Sequence, residues 1–271
     1  MRLGSAPRAG DAMHGGPAPA APRSRRLRHI AAGAAMVAVL AAAGFRAYRL
    51  AYEWGYFTPR ASVGSLPLVE VPARKDVDGD LMVVLLSADG GWARLDQELA
   101  ARLAAAGYPV VGWNSMRYYR TPRTPAVAAD DLTAVMRSYQ RKWHRPRVLL
   151  VGYSFGADVL PIITKLLPDD DRRHLAGVVL LGFWKNAEFQ FTPAEWVGRE
   201  TGVTEYPTLP AARRLTDVPV LCIGGDHDRR SVCSRIGTPN VRVRTIPAGH
   251  SLGAHVGEIF KLMIPMIRKV D

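Results

Sequence analysis

Four consecutive apolar residues, Val148-Leu149-Leu150-Val151, run into Gly152-Tyr153-Ser154-Phe155-Gly156 and then into a helix-periodic stretch, Phe155–Leu167. A strand that is apolar at every position is covered on both faces. One that turns into a helix without a linker opens a crossover, and crossovers join parallel strands. The rest of the chain repeats that unit. Strands are predicted from Leu66 onward, including Leu81–Leu86, Tyr108–Trp113, Arg147–Tyr153, Gly177–Leu181, Pro219–Ile223 and Val241–Ile246. Helical spacing covers Trp92–Ala106, Ala126–Trp143, Phe155–Leu167 and Ala254–Arg268. The predicted fold class is α/β, a mostly parallel central sheet with helices on both faces. Residues 183–217 break the rhythm with aromatics and prolines and read as a short cap excursion over the sheet. Two cysteines exclude a disulfide-rich scaffold or a four-cysteine zinc module, and no 20–50-residue period supports a solenoid.

The N-terminal region has a different composition. Residues 1–49 carry eight arginines against one acid, Asp11, which is most of the chain's net charge of +12. Residues 1–29 read as a disordered basic tail, and Arg23-Ser-Arg-Arg-Leu-Arg28 precedes the uncharged run Ile30–Phe45. A basic flank before an apolar run is the layout of an export signal. Residues 30–58 therefore read as a signal peptide or a signal anchor. Ala41-Ala42-Ala43 offers a cleavage site, and Tyr48, Tyr52, Trp54, Tyr56 and Phe57 form an interfacial flank. Whether the signal is cleaved or retained stays open. The positive-inside rule places the remainder, with residues 60–271 as its folded domain, in the periplasm, soluble or anchored to the inner membrane. The folded part keeps a small positive excess, which suits lipid headgroups or simply a soluble surface. No nucleic-acid-binding signature accompanies it, so no nucleic acid is expected as a partner.

Gly152-Tyr-Ser-Phe-Gly156 matches G-x-S-x-G in its diagnostic setting, after a strand and opening a helix. This predicts Ser154 as a nucleophile on a sharp turn. A serine at its free pKa is a poor nucleophile, so an acid and a histidine should follow in that order. Gly224-Gly-Asp226-His-Asp228 follows a predicted strand and supplies the acid. Asp228 is preferred for its reach, with Asp226 in reserve and the other carboxylate left to cap the loop. Pro247-Ala-Gly-His250-Ser-Leu-Gly253 follows the last strand and supplies His250, whereas His227 and His255 read as structural or exposed. Backbone N–H groups of Asp89, with Gly90 as neighbour, and of Phe155 are the expected oxyanion hole. The histidines do not form an H-E-x-x-H pattern, and neither a metal nor a cofactor is expected. Cys222 and Cys233 bracket the acid loop. Outside the cytoplasm they can form a disulfide, the alternative being two buried thiols.

Three longer strings carry a resemblance. Leu86-Ser-Ala-Asp-Gly-Gly-Trp92, Asn114-Ser-Met-Arg-Tyr-Tyr119 with Arg123-Thr-Pro125, and Gly152-Tyr-Ser-Phe-Gly-Ala-Asp-Val-Leu-Pro161 are similar to motifs of the VirJ and AcvB virulence proteins. These proteins are an exported branch of the α/β-hydrolase fold. The paired cysteines and Gly249-His250 also fit. The sequence departs at Ala88, where the family has Gly, and at Asn114, where it has Asp. The resemblance implies a periplasmic serine hydrolase. AcvB members are associated with cleaving the aminoacyl ester of lysyl-phosphatidylglycerol, and VirJ members with type IV secretion. The implied partners are an aminoacylated phospholipid or another ester, the inner-membrane surface, and type IV secretion components. A lysyl group would want a carboxylate near the pocket, for which Asp158, Glu188 and Glu195 are candidates. Asp158 serves equally as a hydrogen-bonded residue of the helix layer, and the glutamates as solvated charges. Arg117, Arg120 and Arg123, interleaved with Tyr118 and Tyr119, either meet lipid phosphate or form a solvated loop.

Overall fold

The computed structural model describes residues 33–47, 62–74, 79–191 and 204–267. The chain divides into two compact units, Met1–Leu50 and Ala51–Asp271. In the first, residues 33–47 form a helix, α1. Among the described residues no helix is long and apolar enough to cross a membrane. The basic tail and the aromatic flank of the predicted export segment lie outside the described residues.

The second unit is built on a seven-stranded sheet of β1 (Leu68–Val71), β2 (Leu81–Leu86), β3 (Val110–Trp113), β4 (Arg147–Tyr153), β5 (Leu175–Leu181), β8 (Val220–Gly225) and β9 (Val241–Ile246). Its spatial order is β1-β3-β2-β4-β5-β8-β9. Every pairing from β3 to β9 is parallel, and β1 closes one edge antiparallel to β3. β2 and β4 lie at the centre, and every β2 residue is buried, which is why both read as unbroken apolar runs.

Two cores flank the sheet. On one face α4 (Pro125–Trp143) and α5 (Phe155–Lys165) pack Val135, Met136, Leu160 and Ile163 against Val84, Leu150 and Leu180. On the other, α2 (Arg94–Ala105) and α8 (Val256–Ile267) pack Leu99, Leu103, Ile259 and Met263 against Val83, Leu85 and Val151. Thr124 starts α4 by accepting the Val127 N–H at 3.2 Å, with Pro125 in the first turn. Two short elements, α3 (Ser115–Tyr118) and α6 (Asp169–Arg173), fall between the predicted ones, and β1 lies in the stretch from Leu66 where strands are predicted to begin.

The excursion carries short elements of its own. β6 (Asn186–Glu188) and β7 (Glu205–Pro207) pair as an antiparallel ribbon, and α7 (Thr208–Arg213) follows. Phe183 and Phe189 anchor its base in the core. Residues 192–203, including Glu195 and Trp196, lie outside the described residues. The ends of β4, β8 and β9 come together beneath the excursion, and the candidate site is built there.

Candidate active site

Ser154 stands between β4 and α5 with φ +50° and ψ −117°, a conformation L-residues rarely adopt. Such backbone costs about 1–3 kcal/mol and persists only where the surroundings enforce it. Here two glycines do so. A Cβ on Gly152 would lie 2.4 Å from the Gly156 carbonyl oxygen, and one on Gly156 would lie 2.4 Å from the Leu86 carbonyl oxygen. The helix therefore begins in direct backbone contact with β2 and β4, and the turn is sharp enough to expose the serine hydroxyl. The Ser154 N–H is held by the Leu181 carbonyl at 2.8 Å.

Ser154 Oγ lies 2.8 Å from His250 Nε2, and His250 Nδ1 lies 3.0 Å from Asp228 Oδ2. With Nδ1–H donating to the carboxylate, Nε2 is the acceptor for the serine hydroxyl. The Asp228 side chain is 3% exposed, and its other oxygen accepts the Arg230 N–H at 3.0 Å. Asp226 has the different task of accepting the Ala248 N–H at 3.1 Å, beside the exposed His227 ring. It staples the acid loop to the histidine loop. Gly225 allows those loops to abut, because a Cβ there would lie 2.1 Å from the Ala248 carbonyl oxygen. His255 sits 3.5 Å from Glu258, away from this chain of hydrogen bonds.

Cys222 and Cys233 are joined as a disulfide. The bridge ties β8 to the turn Cys233–Arg235 and closes the loop that carries Asp228. Val232 N–H also donates to Phe183 C=O at 3.0 Å, linking this loop to the excursion.

The loop after β2 is fixed from beneath. Ser87 Oγ accepts the Ser115 N–H at 3.0 Å and donates to the Ala88 carbonyl at 3.1 Å. Gly91 turns the chain at φ +79°, and a Cβ there would lie 3.1 Å from Asn114 Oδ1. Asn114 also caps α3 through the Arg117 N–H, so it supports the loop without a charge. The Gly90 N–H donates to the Asp89 carboxylate at 3.0 Å. Asp89 and Phe155 line the same cleft as Ser154 and His250. Phe155 opens α5, where the first N–H groups have no intrahelical acceptor.

That cleft, about 160 Å³, has polar walls. Asp158, one helical turn after Ser154, accepts the Trp184 N–H at 2.7 Å. Burial pushes its carboxyl well above the usual range; the Trp184 hydrogen bond opposes this and the nearby Asp89 charge adds to it. Asp158 thus combines the two roles considered for it, a hydrogen-bonded helix residue that also faces the cleft. Glu188 is a further wall residue. Trp184, Asn186 and Arg230 complete the lining, and none of them stands out in the sequence. They arrive from the excursion and the acid loop, where neither period nor motif marks them.

The Arg117–Arg123 stretch is not an interleaved surface patch. Tyr118 and Tyr119 are buried, and Tyr118 donates to Asp131 at 2.6 Å in the core. The Arg123 guanidinium lies 4.7 Å from the Tyr118 ring centroid, and the Arg123 backbone N–H donates to Phe189 C=O at 2.9 Å. Arg117 and Arg120 are exposed. Among the described residues no group of three or more His, Cys, Asp or Glu is arranged to hold a metal.

Solved structures with this architecture are numerous. A proline iminopeptidase from Mycobacterium smegmatis aligns with a TM-score of 0.54 and 11% identity over 75% of this chain and 96% of its own. A lipase-esterase related protein from Clostridium acetobutylicum aligns at 0.53 and 13% over 74% and 99%. An esterase from Exiguobacterium antarcticum aligns at 0.51 and 12% over 74% and 94%. At such identities the likeness is one of fold, which is the α/β-hydrolase fold. No functionally curated protein matches the chain in sequence. The profile of the family described as bacterial virulence protein (VirJ) matches residues 80–270, the whole stretch from β2 through α8. The chain belongs to the VirJ family.

Proposed function

We propose that this protein is an exported serine hydrolase that cleaves a carboxylic ester through an acyl-enzyme. The hydrogen-bonded chain Ser154–His250–Asp228, with the serine on its strained turn, carries that reading. His250 takes the hydroxyl proton as Ser154 Oγ attacks the ester carbonyl. Asp228 fixes the ring tautomer and stabilises the imidazolium. Backbone N–H groups of Phe155 and Asp89 receive the oxyanion. His250 then returns its proton to the leaving alcohol, and water, activated by the same histidine, releases the acid and restores Ser154.

The substrate we favour is the aminoacyl ester of a lysyl-phosphatidylglycerol-type lipid. The resemblance to AcvB suggests it, and the Glu188 carboxylate in the cleft wall suits an acyl part bearing ammonium groups. The basic flank before the apolar run and the Cys222–Cys233 bridge favour a periplasmic setting at the inner membrane. The test is lysine release from lysyl-phosphatidylglycerol vesicles by the parent and by Ser154→Ala. Release by the parent alone is the expected result. No release, with Ser154 still labelled by a fluorophosphonate, keeps the hydrolase and discards the lipid. A biological phenotype that survives Ser154→Ala would favour a binding role beside type IV secretion components.

A further inference from the structure

The chain leaves β5 for the β6–β7 ribbon through Gly182-Phe183-Trp184-Lys185. Buried backbone groups must find partners, and neighbouring strands or helical turns supply most of them. Trp184 draws on side chains for both of its own. Its N–H donates to Asp158 Oδ1 at 2.7 Å, and its C=O accepts the Thr208 hydroxyl at 2.5 Å. The Thr208 N–H then closes onto the Lys185 C=O at 2.9 Å. Asp158 comes from α5 and Thr208 from the first turn of α7, so two helices grip one residue of the excursion.

The gripped residue belongs to the site. Trp184 lines the cleft beside Ser154 and His250, and Asn186 and Glu188 of β6 line it too. Thr208 is fully buried and lies outside that lining. Asp158 is 8% exposed, and a carboxyl that burial drives towards its neutral form serves by hydrogen bonding rather than by charge. The nucleophile and its base are held by other bonds, from the Leu181 carbonyl and the Asp228 carboxylate.

We propose that Asp158 and Thr208 are positioning residues that clamp Trp184, and that the segment 184–188 is thereby the wall that selects the ester. Substrate groups that reach past the reacting carbonyl meet this wall, whereas the smallest esters end before it. The cleft, about 160 Å³, is close to the ~150 Å³ that holds a benzene ring. One ring on either half of the ester is enough to fill it. The clamp rests on the serine-hydrolase reading for its place in the reaction, but its geometry is measurable without turnover.

The test follows acid release by the full-length chain from methyl acetate, methyl benzoate and phenyl acetate. The last two carry a ring on the acyl and the alcohol half respectively. The parent should have a lower KM for one ring ester than for methyl acetate. Thr208→Val should raise that KM about five-fold, the size of one lost hydrogen bond, and keep kcat and the methyl acetate kinetics within about two-fold. Thr208→Ser, which keeps the hydroxyl, should restore it. Asp158→Ala should raise the same KM, and Asp158→Asn, which keeps an acceptor for the Trp184 N–H, should restore it. If Asp158→Ala does not fold, the Thr208 pair carries the test. A parent that favours neither ring ester, equal losses on all three esters, or a fall in kcat without a rise in KM overturns the clamp. If the parent hydrolyses none of them, fluorine NMR of the 5-fluorotryptophan-labelled chain decides instead. The Trp184 resonance, identified by its loss in Trp184→Phe, should move in Thr208→Val and return in Thr208→Ser. A resonance that stays in place overturns the clamp, whereas failure of a fluorophosphonate to label Ser154 overturns the hydrolase reading alone.

Discussion

Ser154, His250 and Asp228 hold one another in a geometry that no one of them specifies alone. Ser154→Ala should lower kcat/KM for any ester substrate by at least about a thousand-fold. Asp228→Asn should cost about ten-thousand-fold, because it removes the acceptor that fixes the tautomer of His250. Asp226→Asn tests the assignment from the other side. That residue only staples two loops, so most of the activity should survive, and steady-state kinetics on one ester distinguishes the two carboxylates. Length and order in the sequence were enough to prefer Asp228 over Asp226. The loop needs two more residues to turn back towards the histidine, and the structure puts Asp228 there. Trp184, Asn186 and Arg230 were not legible, since each reaches the cleft only through the path of a loop. The tyrosines of Asn114–Tyr119 mislead for a related reason. Tyrosine beside arginine is common on surfaces, and only the packing of α3 against α4 shows that their rings are internal.

At the scale of elements, the turn from β4 into α5 is a contact of bare backbones. Gly152→Ala and Gly156→Ala each drive a methyl group to within 2.4 Å of a carbonyl oxygen. Either should destabilise the fold by at least about 3 kcal/mol, the upper range for overpacking, as read from urea unfolding. The disulfide acts on the acid loop in the same manner. Replacing both Cys222 and Cys233 by serine should lower stability by about 3 kcal/mol, the chain-entropy value for a loop of this length. It should also lower kcat/KM, since the loop it closes carries Asp228. The principal strands and helices were legible because burial on both faces leaves an apolar run and helix stripes leave a 3.6-residue period. The β6–β7 ribbon was not. Asn-Ala-Glu and Glu-Tyr-Pro are three-residue polar strands whose pairing is set by the core beneath them. Their sequence has no alternation to read.

The whole molecule titrates through buried acids. Asp96, in the first turn of α2, is fully buried, accepts the Ala93 N–H at 3.0 Å and leaves its second oxygen without a partner. Burial raises its pKa from 3.8 to about 6. The folded state therefore binds this proton more tightly than the unfolded chain. Asp96 costs nothing below about pH 4, and its charge progressively destabilises the fold as pH rises towards 6 and above. Asp96→Asn keeps an acceptor for Ala93 without the charge. Its stability advantage over the parent should grow by about 2 kcal/mol between pH 4 and pH 7. An advantage that is flat with pH would contradict this assignment. The central claim, that this VirJ-family fold presents a working nucleophile, is tested most directly by mass spectrometry of the folded full-length chain after treatment with a fluorophosphonate. A single adduct on the peptide containing Ser154, slowed by at least about a hundred-fold in His250→Ala, is the predicted result. A folded protein that takes up no adduct, or takes it up elsewhere, would contradict it.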